Sequence, residues 1–194
     1  MGTIRILGID IPDAGPVFLG ALALHVPIAL VAVVSGAVAM LARKRAGRHP
    51  GAGRVYFCAL VGTFVTATVM AGIRFAHAWH LFALGVVAVA AASAAYVARR
   101  QRPANMPAHV AGMGLSYVAM LTAFYVDNGP QLPLWDRLPV LAYWLLPAAI
   151  GVPLIVRALV RLRRSGAALE LVSNDGGPTS RRLRVAIRSS RQPR

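Results

Sequence analysis

Acidic residues are scarce in this chain. Of 194 residues only Asp10, Asp13, Asp127, Asp136, Glu170 and Asp175 can carry a negative charge. None lies inside a long apolar run, which argues against a proton-coupled pump, whose relays use intramembrane carboxylates. Cysteine is scarcer still. Cys58 stands alone, so no internal disulfide forms and cysteine usage says nothing about compartment. Lysine is reduced to Lys44, with arginine at every other basic position, a bias that fits a G+C-rich bacterial genome. HExxH, glycine-rich phosphate loops and CxxC are all missing. Ser116 and His109 share a helix face but sit two turns apart, about 10 Å along the axis, too far for a nucleophile and its base. The first 15 residues set Arg5 against Asp10 and Asp13 and lack the basic start of a signal peptide.

What the chain has in abundance is apolar length. It is 57% hydrophobic and only 14% charged, with mean hydropathy +0.61, whereas a soluble domain carries about a quarter charged residues. The apolar residues form runs near bilayer-spanning length. Five spans are expected, at roughly 16–42, 55–76, 80–98, 108–126 and 139–160. The fold class is therefore all-α: an integral membrane bundle of five transmembrane helices, with four in the core and a fifth kinked by Pro147 and Pro153. Residues 1–15 form a short segment outside the membrane, 16–160 the transmembrane domain, and 161–194 a basic, disordered cytoplasmic tail.

The net charge of +15 suggests nucleic acid until its distribution is read. Eighteen of the basic residues fall in 43–54, in 99–107 and from Arg157 onward, against three (Arg5, Arg74, Arg137) on the other side. By the positive-inside rule the N-terminus is outside and the C-terminus cytoplasmic, in a bacterial inner membrane. Trp79, Trp135, Tyr125 and Tyr143 fall near the outer boundary and Tyr56 and Tyr96 near the inner one, as interfacial anchors do. The Arg-rich tail suits topology enforcement or contact with anionic lipid headgroups. It has no aromatic residue to stack on bases, so no nucleic-acid partner is expected.

Small and polar residues mark helix contacts in lipid. At 100° per residue, Ala21, His25, Ala29, Ala32, Gly36 and Ala39 share a face of the first span. Thr63, Thr66, Met70, Arg74 and His77 form the most polar stripe, on the second. His109, Gly112, Met113, Ser116, Met120, Ala123 and Asp127 line the fourth. No internal repeat is evident.

Depth sorts the five histidines. His25, His77 and His80 lie in the outer half beside Arg74; His49 and His109 lie at the inner boundary near Arg54. Ionisable residues inside a bundle are functional candidates, an argument that applies most strongly to His25. One reading takes His77 and His80, spaced i, i+3, with His25 as ligands of a transition metal through neutral imidazoles. A second pairs His25 with His80 and His49 with His109 as two stacked haem sites. The bland readings are a core histidine bonded to a carbonyl or hydroxyl, and interfacial polarity. Arg74 pairs with Asp127 or Asp136, or receives the anionic group of a ligand. A turn inside Ala76–Trp79 would split the His77/His80 pair.

The run His49-Pro50-Gly51-Ala52-Gly53-Arg54-Val55-Tyr56, after a first span holding His25, resembles a family of predicted bacterial multipass membrane proteins of unknown function. His109-Val110-Ala111-Gly112-Met113-Gly114-Leu115-Ser116-Tyr117, continuing to Asp127-Asn128-Gly129-Pro130, is similar too. The resemblance covers roughly 20–160 and implies the topology, with no activity to transfer. In architecture alone, the two histidine pairs are similar to cytochrome b561-type bundles. Three functional expectations follow: redox or metal binding through the histidines, a non-catalytic accessory or assembly role with a membrane-protein partner, and a small-solute carrier along the Thr63–Arg74 stripe.

Overall fold

Long Ala-, Val- and Leu-rich segments without charge satisfy their backbone polar groups internally, so in lipid they form helices. The computed structural model describes residues 3–6, 9–12, 14–42, 47–101, 105–132, 135 and 137–174. Five helices follow in order: α1 (Pro16–Leu41), α2 (Arg48–Ile73), α3 (Phe75–Gln101), α4 (Met106–Asn128) and α5 (Val140–Asn174). All five are long and apolar enough to cross a membrane. Before them, Thr3–Ile6 (β1) and Ile9–Pro12 (β2) pair antiparallel, with Ile4 opposite Ile11 and Arg5 opposite Asp10. The alternating Ile-Arg-Ile and Ile-Asp-Ile runs have strand periodicity, a signal the spans overshadowed.

The helices form two hairpins. α1 packs along α2 and α3 along α4, with thinner packing between α2 and α3 and sparse contact between α1 and α4; α5 packs mainly against α4, with Trp144 also meeting His80 of α3. Ala32, Ala88 and Ala92 are fully buried at the centre, because residues this small let backbones approach closely. Phe57 stacks on Tyr96 at 5.4 Å and Phe64 tilts against Phe82 at 5.7 Å, which joins the hairpins through α2 and α3.

Four boundaries differ from the expectation, and each moves a functional residue. α2 begins at Arg48, after Gly47 with φ 113°, a value glycine adopts without steric cost. His49 and Arg54 are therefore helical rather than in a loop. α2 ends at Arg74 (φ −130°, ψ 44°) and α3 starts at Phe75, one residue before the stretch where a turn would have separated His77 from His80. α4 runs on through Asp127 and Asn128 into a 3-10 turn at Gly129–Gln131, so a carboxylate does lie within a spanning segment. α5 is helical to Asn174, with Pro147 and Pro153 inside it, so helix extends well past residue 160. The remaining tail arginines, Arg181 to Arg194, and Asp136 lie outside the described residues.

Two aromatic anchors are corrected. Tyr56 and Tyr143 are each only 3% exposed. Both have hydroxyl partners within the bundle: Ser116 for Tyr56, and the Trp135 carbonyl for Tyr143 at 2.7 Å. A buried tyrosine is stable only with such a partner. Trp79, 57% exposed, keeps its place at the surface.

Candidate functional site

The histidines collect at the two ends of the bundle, separated by a mainly apolar core in which Tyr56 and Ser116 are buried. At the end carrying Arg48, Arg54, Arg99 and Arg100, His49 opens α2 and His109 opens α4. The Nδ1–H of His49 donates to the Ala39 carbonyl on α1 at 2.7 Å. That of His109 donates to the Ala95 carbonyl on α3 at 3.1 Å. A carbonyl only accepts, so each ring carries its proton on Nδ1, and a neutral ring then has its lone pair on Nε2. The two ring centroids are 6.5 Å apart with planes at 83°.

Seven residues deeper on the same two helices, the Tyr56 hydroxyl and the Ser116 hydroxyl hydrogen-bond at 2.7 Å. Seven residues return a helix to almost the same face about 10.5 Å further along. α2 and α4 run in the same direction, so His49/His109 and Tyr56/Ser116 form successive rungs across the bundle. Beside the second rung, the Tyr117 hydroxyl donates to the Val33 carbonyl at 3.0 Å, and the Tyr56 and Tyr117 rings lie 6.0 Å apart. Gly36 makes room: a Cβ there would come within 2.5 Å of Tyr117 and 3.0 Å of Tyr56.

At the other end, His25 on α1 bonds through Nδ1 to Thr66 Oγ1 on α2 at 2.9 Å. The Thr66 hydroxyl also reaches the Thr63 and Gly62 carbonyls at 2.9 and 3.1 Å. Its single proton goes to one of these, so His25 Nδ1–H is the donor to Thr66. Thr63 likewise turns its hydroxyl back to the Ala59 carbonyl. His80 sits in ring contact with Trp79 at 5.9 Å and with Trp144 of α5 at 5.8 Å. The Asp127 carboxylate lies within electrostatic reach of His25, His80 and Arg74 from three other segments. Arg74 is half-buried at the α2–α3 corner, and His77 is exposed.

The sequence-predicted residues therefore divide. His49 and His109 come together; His25, His80, Arg74 and Asp127 share one end; His77, on the same helix as His80, is exposed. Among the described residues no group of three or more His, Cys, Asp or Glu is placed to share a metal ion, so His25, His77 and His80 do not assemble as a set of three. Sequence reasoning missed Tyr56, Ser116 and Trp144. The shared spacing His49-x6-Tyr56 and His109-x6-Ser116 is the signal that would have found the first two.

No curated protein and no solved structure matches the chain. A family model described as "Predicted membrane protein (DUF2306)" matches residues 22–161, which takes in all five histidines and both rungs. The chain belongs to this DUF2306 family of predicted membrane proteins.

Proposed function

We propose that this protein is a redox membrane protein that holds a haem-type iron between His49 and His109, with His25 and His80 as a second pair toward the opposite end. The observation that carries this reading is the 6.5 Å spacing of the His49 and His109 rings. Two imidazoles on opposite sides of one metal, with metal–nitrogen bonds of about 2 Å, have centroids about 6.3 Å apart. Both rings also carry Nδ1–H bonds to carbonyls of neighbouring helices, the outer-shell contact that fixes tautomer and orientation in ligating histidines. A bare cation needs further protein donors, and no cluster of three is present among the described residues. A haem would bring four nitrogens of its own and could be held by His49 and His109 alone, which favours haem over a simple metal ion. Once bound, haem supplies one-electron chemistry; the chain's part is to hold two neutral imidazoles at a fixed spacing.

Protein purified in mild detergent from haem-replete cells is expected to show a Soret band that shifts on reduction. His49→Ala and His109→Ala should each lose the part of the band that belongs to this pair, while His77→Ala retains the whole of it. A wild-type protein with no Soret band and no haem by pyridine-adduct assay ends this reading.

A second reading draws on the same hydrogen bonds. His25, His49 and His109 each fasten one helix to another, which suits an accessory or assembly protein whose histidines are structural. A colourless protein that co-purifies with a stable membrane partner would select it. The carrier reading has less support, because the Thr63 and Thr66 hydroxyls are bonded to their own helix.

The orientation belongs to the proposal too. The end with Arg48, Arg54, Arg99 and Arg100 faces the cytoplasm of a bacterial inner membrane, as the charge bias directs, and the tail arginines add contact with anionic lipid. Alkaline phosphatase fused after Asn128 should be active and the same reporter fused after Arg100 inactive; the reverse pattern inverts the topology.

A further inference from the structure

Between α1 and α2 a shallow groove opens outward, running from Arg54, near the His49 end, toward Pro27 and Gly62 on the His25 side. Pro27, Ile28 and Val31 form one wall and Arg54, Cys58 and Gly62 the other. At its deeper end the helices meet closely: a Cβ at Gly62 would come within 3.1 Å of Ile28 Cγ2. The walls are almost wholly apolar, with Arg54 contributing its methylene stem at one end. From Arg54 to Gly62 the helix rises about 12 Å, close to the hydrocarbon depth of one leaflet, half of about 30 Å.

Arg54 is exposed at the end of this groove. The sequence holds no Asp or Glu between Asp13 and Asp127, so nothing near it in the chain neutralises its charge. An arginine fork at the mouth of an apolar channel one leaflet deep matches an anionic headgroup joined to an acyl chain. Arg binds phosphate through paired N–H donors, and its methylene stem lies along apolar surface while the charged head reaches the interface.

The geometry points to a specific site for an anionic phospholipid, with its phosphate on Arg54 and one acyl chain lying along Val31 and Cys58 toward Pro27 and Gly62. No histidine lines the groove, and the assignment does not depend on the redox reading. The site is also separate from the tail, whose arginines meet a headgroup surface without enclosing a chain.

Delipidated full-length protein titrated with dioleoyl phosphatidylglycerol or dioleoyl phosphatidylcholine, read by native mass spectrometry, tests it. Phosphatidylglycerol is expected to bind about fivefold more tightly, the ratio that one basic residue near a lipid surface supplies. Arg54→Gln should remove the preference, Arg54→Lys should retain part of it, and Arg99→Gln should leave it intact. Val31→Trp, which fills the groove from an exposed position, should weaken both lipids while sparing the fold. Phosphatidylglycerol should also slow alkylation of Cys58, which is exposed on the groove wall. Equal binding of the two lipids, an unchanged preference in Arg54→Gln, or protection of Cys58 by dimerisation in lipid-free detergent would each overturn the assignment.

Discussion

Gly112→Leu is expected to force α3 and α4 apart and lower the thermal stability of the bundle. A Cβ at Gly112 would stand 2.8 Å from both the Ala91 carbonyl oxygen and the Ala95 Cβ. The first of these is backbone and cannot rotate away, so the helices themselves must move. Overpacking in a close-packed interior costs about 1–3 kcal/mol and more where the backbone is displaced; at the upper end this is about 10 °C in Tm for a chain of this size. The damage extends to the candidate site, because Ala95 also accepts the Nδ1–H of His109 at 3.1 Å. Gly112→Leu should therefore lower the midpoint of thermal aggregation and also weaken any pigment held by His109. Gly72→Leu is the matched control: a Cβ there meets nothing within 4 Å, and its midpoint should stay within a few degrees of wild type. Equal behaviour of the two variants would show that α3 and α4 are less tightly opposed than the fold requires.

The spans were legible because a bilayer imposes one length and one composition on anything that crosses it. The stripe of small and polar residues on α4 read correctly only in part: Ser116 and Met120 are buried, His109, Gly112, Met113 and Ala123 are half-buried, and Asp127 is exposed. Helix ends were harder. His49-Pro50-Gly51-Ala52-Gly53 looks like a loop, because proline and two glycines break helices in water. Here α2 begins just before them, where proline in the first turn loses no hydrogen bond. Depth misled in the same way for tyrosine. Tyr56 sits near the end of a hydropathy run and so resembled an anchor, but its hydroxyl has a partner in Ser116 sixty positions away, which no local pattern shows. The paired spacing in α2 and α4 was present in the sequence; its meaning required knowing that those two helices are parallel and face each other across the bundle. Asp127 was placed just outside its span because a carboxylate ends a hydropathy run, whereas the helix continues and sets it near His25, His80 and Arg74.

Tyr56→Ala should be the most damaging single truncation at the Tyr56–Ser116 rung. Tyr56 is packed by Tyr117 and by the open face of Gly36, and removing so large a buried ring costs about 3–5 kcal/mol. The smaller variants separate packing from hydrogen bonding, and their effects should be unequal. In Tyr56→Phe the Ser116 hydroxyl loses its partner but can turn back to a carbonyl of its own helix, as Ser35, Thr63 and Thr122 do. The cost should be near the average of about 0.6 kcal/mol for side-chain hydrogen bonds in membrane proteins. In Ser116→Ala the Tyr56 hydroxyl is left in the core, too far from its own backbone to find a substitute. That variant should lose about 1–3 kcal/mol, the cost of an unpaired buried polar group. The double variant Tyr56→Phe/Ser116→Ala should then be no worse than Ser116→Ala alone. Unfolding by sodium dodecyl sulfate titration, followed by circular dichroism, measures all four. If Tyr56→Phe proves as costly as Ser116→Ala, the serine has no local alternative and the rung is held from both sides. In either case Tyr56→Ala should free α2 from α4 two turns below His49 and His109, so that loss of stability and loss of the His49–His109 spacing occur together.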